Sequence, residues 1–416
     1  MSGSYNKIQN IHSFSFSVNS AEGITFYPSG RQSAFEVMQK YVTKVSRDIL
    51  KNAQVQGYIG SDWKPVWGPI VWSKDQNNTT AHSDNTMGAY YSPSQKLFVV
   101  AVAGTNPISS YGWIDEDFDV LTTVEWNDVT GKGSGSISQG TYTGLNILLN
   151  MTDPSQKNKT LLVALKDFVK SNSINHAEIA VAGHSLGGAL SPTLALYLSD
   201  KKSEWDPNDG IHVSTFPTAG PTPGNETFAN YYEDQINERK ITYLSLYNPI
   251  DCVPQAWVID NLASIPKLYE DHIPSDENPV ISTLVTGAAM ASIDGAHYNN
   301  FLFDYYKQVT PFQALRGASF DTSIDNIVKD KLKWYYKYLL PSSLEPYFQD
   351  LVNVVRFAAQ AAVQHTSAYD ELLNITDFMT EYKAIVAQDT PTQSDIRYPI
   401  NEAIKRAIKV DLKLKI

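Results

Sequence analysis

The feature that most restricts the fold of this chain is the alternation of apolar and helix-like segments between residues 96 and 250. Four segments are typical of buried strands: KLFVVAVAGT, AEIAVAG, IHVSTFPTAG and ITYLSLYN. The segments between them are typical of helices, among them TLLVALKDFVKS, LGGALSPTLALYLSD and NETFANYYEDQI. Strands that alternate with helices over this length predict a mostly parallel sheet with helices on both faces.

The segments before and after this region are less regular. Phe35, Met38, Val42, Val45 and Ile49 recur at helical spacing, so they predict a helix over about 32–51, while VQGYIG and GPIVW predict short strands. Residues 344–364 predict a long apolar helix. Because no linker interrupts the 416 residues, we expect a single domain. Its core would span about 30–260 and 345–375, with a helical insertion at about 262–344 and a helical tail at 376–416.

Charge and composition limit the possible partners. A net charge of −11 disfavours nucleic acid and anionic membranes, but it leaves neutral lipids and neutral esters open. No apolar stretch reaches the roughly 18 residues of a membrane span. The first residues, MSGSYNKIQNIHSFSFS, lack the features of a secretory signal. The compartment therefore stays open between the cytoplasm, a non-standard export route and a mature secreted form.

A G-x-S-x-G motif, Gly183-His184-Ser185-Leu186-Gly187, lies between a predicted strand and a predicted helix. That placement is the structural context in which such a serine is lifted above a sheet edge as a nucleophile. The backbone N–H of Leu186 would then point at a developing oxyanion from a helix N-terminus. The motif predicts Ser185 as a nucleophile rather than a residue of a simple turn.

A serine hydroxyl needs a base, and the base needs an acid that orients it. Asp251 follows the strand ITYLSLYN, at the sheet edge where the loops of parallel sheets gather their chemistry, and it is the preferred acid. If the base follows the acid in the chain, it is His272, His297 or His365. His272 lies in an acidic loop and is expected at the surface, but spacing alone does not decide between the other two.

The stretch IAVAGHSLGGALSPTLALYL resembles the class 3 lipases, a family with the α/β-hydrolase fold that includes fungal lipases and bacterial relatives. VVAVAGTN, TAGPTPGNETFANYY and YNPIDCVPQAW resemble further motifs of that family in the same order. The resemblance implies that Thr105 helps to form the oxyanion hole and that Asp251 is the acid. It also implies an α/β-hydrolase fold with a helical insertion or lid before the catalytic histidine.

The resemblance favours His365 over His297, because Gln364-His365-Thr366-Ser367-Ala368-Tyr369 is similar to a Q-H-x-x-A-Y stretch of bacterial relatives with a long insertion. One departure is Ala103, which stands where the family often has an arginine. By resemblance, the loop after Thr105 would be a lid over the acyl pocket, with Tyr111 and Trp113 as its apolar face. An ordinary surface loop and a lid formed by the insertion are the alternatives.

These observations predict a carboxylic-ester hydrolase, with a triacylglycerol lipase as the first hypothesis. Ser185, His365 and Asp251 would be its triad, and Leu186 and Thr105 its oxyanion hole; no metal or organic cofactor is required. A phospholipase A1 or a short-chain carboxylesterase on the same scaffold is the alternative. A hydrolase fold without activity that serves as a binding protein is a third reading.

Overall fold

The computed structural model describes residues 3–74, 79–105, 119–274, 278–298, 304–329, 345–391 and 395–396. The strands are β1 (Ile24–Thr25), β2 (Lys64–Trp72), β3 (Asn85–Ser92), β4 (Leu97–Val102), β5 (Thr123–Glu125), β6 (Ser136–Ser138), β7 (Ala177–Gly183), β8 (Ile211–Thr215), β9 (Ile241–Tyr243), β10 (Ser245–Tyr247), β11 (Phe312–Ala314) and β12 (Asp395–Ile396). The longer helices are α1 (Lys7–Ser17), α2 (Ala34–Lys51), α3 (Ala53–Ile59), α4 (Trp126–Thr130), α5 (Gln139–Asn150), α6 (Leu161–Ser171), α7 (Leu186–Asp200), α8 (Lys202–Trp205), α9 (Glu226–Asn237), α10 (Ile259–Leu262), α11 (Pro279–Tyr298), α12 (Glu345–His365), α13 (Ala368–Leu372) and α14 (Thr376–Asp389).

Within the described ranges, six strands form a central sheet in the order β2-β3-β4-β7-β8-β9. The strands β4, β7, β8 and β9 run parallel to one another, while β2 and β3 are antiparallel additions at one edge. Helices lie between the successive parallel strands along the chain. The predicted α/β-hydrolase fold, with a mostly parallel sheet, is confirmed.

The sheet is covered on both faces, and β4 shows why its sequence is continuously apolar. Phe98, Val100 and Val102 point into a core formed with α5, α6, α7 and α9. Leu97, Val99 and Ala101, which alternate with them, point into a second core formed with α1, α2 and α14. A strand buried on both faces has no solvent side on which polar residues would be tolerated.

Two parts of the sheet region differ from the sequence-based prediction. The segment VQGYIG is not a strand but part of helix α3, so that prediction is wrong. Asn52 explains the difference, because its side chain caps α3 by accepting hydrogen bonds from the N–H groups of Gln54 and Val55. The apolar segment ITYLSLYN is divided: β9 completes the central sheet, whereas β10 pairs with β11.

The N-terminal helix α1 has no counterpart among the predicted elements, yet it packs directly across β4 and β7. It begins at a capping box, in which Asn6 and Gln9 satisfy each other's backbone N–H groups. Its buried positions include polar residues as well as Ile11, Phe14 and Phe16, which weakens the apolar periodicity by which helices are recognised. None of the described helices combines the length and the apolar character needed to cross a membrane.

Candidate active site

Ser185 lies at a sharp turn between strand β7 and helix α7. Its φ of 60° and ψ of −124° form a strained conformation for a residue with a side chain, as is common where a nucleophile is presented at a strand-to-helix turn. The turn is held by the Ser185 N–H, which donates to the carbonyl of Thr218 at 3.1 Å. The side chain is half-buried, so the hydroxyl is within reach of a substrate.

The glycines around Ser185 are required because the backbone segments approach each other closely. A Cβ on Gly183 would lie 2.3 Å from the carbonyl oxygen of Gly187, and a Cβ on Gly187 would lie 2.4 Å from that of Val102. No side chain fits at either position without moving the backbone. The G-x-S-x-G pattern therefore lets α7 begin directly against the ends of β4 and β7.

His365 is the last residue of α12, and its ring bridges the predicted nucleophile and the predicted acid. Its Nε2 lies 2.7 Å from the Oγ of Ser185, and its Nδ1 lies 2.8 Å from the Oδ2 of Asp251. The histidine side chain is 16% exposed and that of the aspartate is fully buried, so the inner contact is shielded from water while the outer one stays reachable. The three side chains have the arrangement that a nucleophile, its base and an orienting acid require.

The second candidate base, His297, lies near the end of α11, and its side chain is outside the described part of the structure. His272 is exposed, as expected, and its ring stacks on Phe320 with the ring centres 4.1 Å apart. Among the histidines with described side chains, only His365 contacts both Ser185 and Asp251.

The two predicted oxyanion donors lie on either side of the turn. Leu186 is the first residue of α7, a position where a backbone N–H has no acceptor within its own helix. Thr105 follows Gly104, whose hypothetical Cβ would be 3.3 Å from the Cβ of Ser185, so the end of β4 reaches the nucleophile. The loop predicted as a lid, with Tyr111 and Trp113, lies outside the described residues.

The carboxylate of Asp251 accepts three hydrogen bonds. Oδ1 accepts the N–H of Val253 at 3.0 Å, and Oδ2 accepts the hydroxyl of Tyr369 at 3.0 Å as well as Nδ1–H of His365. The Tyr369 oxygen in turn accepts the N–H of Asn248 at 2.9 Å. Burial and the nearby Asp251 charge raise the pKa of Tyr369 well above its usual value, so it stays a donor. Asp251 was predicted from the sequence as the preferred acid, but no role was assigned to Tyr369.

His184, the residue before the nucleophile, supports His365 from behind. Its Nε2 donates to the backbone carbonyl of His365 at 2.6 Å, and its Nδ1 faces the hydroxyl of Thr218 at 3.2 Å. Burial, together with the charge on His365, lowers the pKa of His184 well below its ordinary value. The ring is therefore neutral and acts as a fixed hydrogen-bonding group rather than as a base.

Glu22 is half-buried, and its charge interacts with that of His365. Burial raises the pKa of Glu22 to about 7, and the charge of His365 opposes that shift. Neither His184 nor Glu22 was predicted to contribute, and for Glu22 no motif signals the role. Among the described residues, no cluster of three or more histidine, cysteine, aspartate or glutamate side chains has an arrangement suited to a metal ion.

The fold and the strained serine turn define the class: this is an α/β hydrolase, and the comparisons with known proteins make it a serine ester hydrolase. Residues 99–261 match the family model described as lipase (class 3). The structure is similar to that of M37 lipase, with a TM-score of 0.63, 26% sequence identity and coverage of 92% of this chain and 99% of that one. Residues 99–261 are thus similar to the class 3 lipases, and the fold as a whole is similar to that of a lipase.

More distant similarities extend to fungal lipases. Lipase II from Rhizopus niveus is 18% identical, with a TM-score of 0.39 and coverage of 60% of this chain and 74% of that one. The Rhizomucor miehei lipase propeptide complex is 20% identical, with a TM-score of 0.39 and coverage of 61% and 63%. No curated protein matches the chain.

Proposed function

We propose that this protein is a triacylglycerol lipase that works through Ser185, His365 and Asp251 with an acyl-enzyme intermediate. The observation that carries the proposal is the continuous hydrogen-bonded chain from the Ser185 hydroxyl through the His365 ring to Asp251, with contacts of 2.7 and 2.8 Å. These lengths are those of a base poised to take the hydroxyl proton.

In the first half of the reaction, Ser185 Oγ attacks the ester carbonyl while His365 Nε2 takes its proton. Asp251 holds Nδ1–H of the resulting imidazolium and stabilises its charge. The tetrahedral intermediate collapses when the imidazolium gives its proton to the departing alkoxide, which leaves the acyl group on Ser185. In the second half, water attacks the acyl carbonyl while His365 Nε2 takes its proton. The bond to Ser185 Oγ then breaks, His365 gives the proton to that oxygen, and the carboxylic acid product is released.

The carbonyl oxygen of the substrate becomes negative in each tetrahedral intermediate, and it requires donors already in place. The N–H of Leu186 at the start of α7 and Thr105 at the end of β4 are the proposed donors. Loss of one such donor typically lowers the rate by about 10²–10³-fold.

Triacylglycerol is the proposed substrate because the chain is similar to a protein named as a lipase along almost its whole length. The net charge of −11 favours a neutral interface over an anionic one. The test is a substrate panel of emulsified triacylglycerols, phosphatidylcholine vesicles and soluble short-chain esters. Preferred turnover of the emulsion supports the proposal. A preference for the vesicles would make the enzyme a phospholipase, and turnover of the soluble esters alone would make it a carboxylesterase.

Replacing the nucleophile tests the mechanism. Ser185→Ala removes the oxygen that forms the acyl-enzyme, so we expect ester hydrolysis to fall by at least about 10⁴-fold and labelling by a fluorophosphonate to disappear. Ser191→Ala is the matched control, because this serine lies on the same helix with a buried hydroxyl that contacts no described partner. Activity of Ser185→Ala similar to that of Ser191→Ala would overturn the proposal.

Replacing the two histidines separately tests which of them is the base. We expect His365→Ala to lose about as much activity as Ser185→Ala, because removal of either member disables the pair. His297→Ala should keep most of the activity. Initial rates on a soluble p-nitrophenyl ester, with circular dichroism as a check of folding, distinguish the two variants. An inactive His297→Ala beside an active His365→Ala would contradict the assignment.

A further inference from the structure

The end of β4 is held by a residue from the N-terminal part of the chain. Asn19 lies in the short 3-10 turn Val18–Ala21 that follows α1, and its Oδ1 accepts the backbone N–H of Gly104 at 2.9 Å. The Asn19 residue itself leaves the helical conformation, with φ −78° and ψ 16°. This contact joins residues 85 positions apart in the chain.

Gly104 also lies against the turn that carries Ser185. A Cβ added to Gly104 would be 2.9 Å from the carbonyl oxygen of His184 and 3.3 Å from the Cβ of Ser185. Gly104 therefore contacts both Asn19 and the turn that carries Ser185. Thr105, a proposed oxyanion donor, is the next residue, so its position depends on these two contacts.

The preceding residue, Ala103, has no side-chain group that could form a hydrogen bond to fix the strand end. Its N–H, that of Ala103, continues the sheet ladder by donating to Thr86 at 2.9 Å, and its methyl side chain carries no hydrogen-bonding group. Beyond Ala103 the ladder ends, because β4 stops at Val102. The side chain of Asn19 thus satisfies the first backbone N–H after the ladder.

We propose that Asn19 is a positioning residue of the oxyanion hole: its side-chain carbonyl fixes the Gly104 peptide so that Thr105 stays beside Ser185. The inference rests on the proposed function, since it assigns a supporting role to the same site. Oxyanion donors are effective because they are in place before the charge develops. A small displacement of such a donor therefore reduces stabilisation of the transition state more than it reduces substrate binding.

The test compares Asn19→Ala with Asn19→Asp, which keeps an oxygen acceptor of the same shape. For Asn19→Ala on a soluble ester at the pH plateau, we expect kcat to fall about 10-fold with an unchanged KM, because the lost interaction acts in the transition state. The rate of inactivation by a fluorophosphonate should fall in parallel, since its phosphonyl oxygen occupies the same hole. Asn19→Asp should recover most of both rates.

A control with Asn10→Ala separates positioning from general loss of stability. Asn10 lies on the same N-terminal segment and is buried, whereas Asn19 is half-buried; the Asn10 side chain donates to Gln95 at 3.2 Å rather than contacting Gly104. Wild-type kcat in Asn19→Ala, or an equal loss in Asn10→Ala, would overturn the inference. Failure of the proposed function has a different signature, because Ser185→Ala would then remain active.

Discussion

The Tyr369 hydroxyl contacts the carboxylate that also holds the ring of His365. It donates to the same Asp251 oxygen that accepts from His365, so this one oxygen accepts two hydrogen bonds. A hydrogen bond to a charged carboxylate lowers that group's affinity for a proton. The tyrosine therefore tunes the strength with which Asp251 stabilises the His365 imidazolium, without itself touching substrate.

Removing this hydroxyl should shift the pH dependence of the reaction. In Tyr369→Phe, the Asp251 oxygen no longer accepts a hydrogen bond from the tyrosine, so it should stabilise the His365 imidazolium more strongly. The acidic limb of kcat/KM against pH should then move to higher pH by roughly half a unit to one unit. A pH profile between 5 and 9 on a soluble ester measures the shift.

The control for that profile is Tyr232→Phe, which loses a buried hydroxyl bonded to the Pro192 carbonyl at 2.9 Å. This hydroxyl donates to Pro192 rather than to Asp251, so its loss should leave the acidic limb unchanged. A shift of the Tyr369→Phe limb to lower pH would refute the proposed tuning, and so would equal shifts in both variants.

At this scale, residues that carry a motif were predictable and residues that support them were not. Ser185 lies in a pentapeptide with a required turn, and Asp251 follows a strand at the expected sheet edge. His184 acts through a contact with a carbonyl 181 positions away, and Asn19 through one 85 positions away. Such pairs leave no local pattern, because the partner is fixed only when the chain folds.

Helix α1 is the element that most clearly combines packing with the chemistry of the site. Phe16 packs on the ring of His184, with the ring centres 4.8 Å apart, and the helix lies across β4 and β7. His12 on the same helix is fully buried, and neither of its ring nitrogens has a hydrogen-bond partner among the described residues. Burial lowers the pKa of His12 to about 4.

This buried histidine should make the fold sensitive to acid. Its folded-state pKa of about 4 lies below the usual value of 6.5, so folding favours the neutral ring. The corresponding stability is fully present above pH 6.5 and is lost as the pH falls toward 4, by about 3 kcal/mol in all. In His12→Leu, which cannot be protonated, the free energy of unfolding should fall less between pH 7 and 4.

Denaturant unfolding of both proteins at several pH values measures this difference. His176→Leu is a control at an exposed position, and it should follow the wild-type dependence on pH. Parallel curves for the wild type and His12→Leu would show that the buried ring does not titrate with folding.

The elements themselves were predictable where one pattern dominated. The helices α2, α6, α7, α9 and α12 and the strands β4, β7 and β8 follow the predicted segments, since each has a clear apolar run or period. Helix α3 was mistaken for a strand because the cap at Asn52 outweighs the preference of valine, tyrosine and isoleucine for strands. Helix α1 carries buried polar residues, which conceal its period.

For the whole molecule, helix α12 links the site to the segment that precedes it. Arg356 in this helix is buried and forms a two-pronged contact with Asp325, at 2.5 and 3.2 Å. The same guanidinium also donates to the carbonyl of His272 at 2.6 Å. The proposed division into a core, an insertion and a tail stays a prediction, but these contacts bind the segment after Asp251 to the helix that ends in His365.

The position of His365 has a consequence for how the protein comes into existence. During synthesis, Asn19, Ser185 and Asp251 all leave the ribosome before the helix that ends in the base. A nascent chain that has emerged as far as Asp251 therefore contains the six described strands of the central sheet but not the proposed base. In the proposed mechanism, ester hydrolysis therefore cannot begin until the helix that ends in His365 has been made, and a copy that stops before that helix should be inactive.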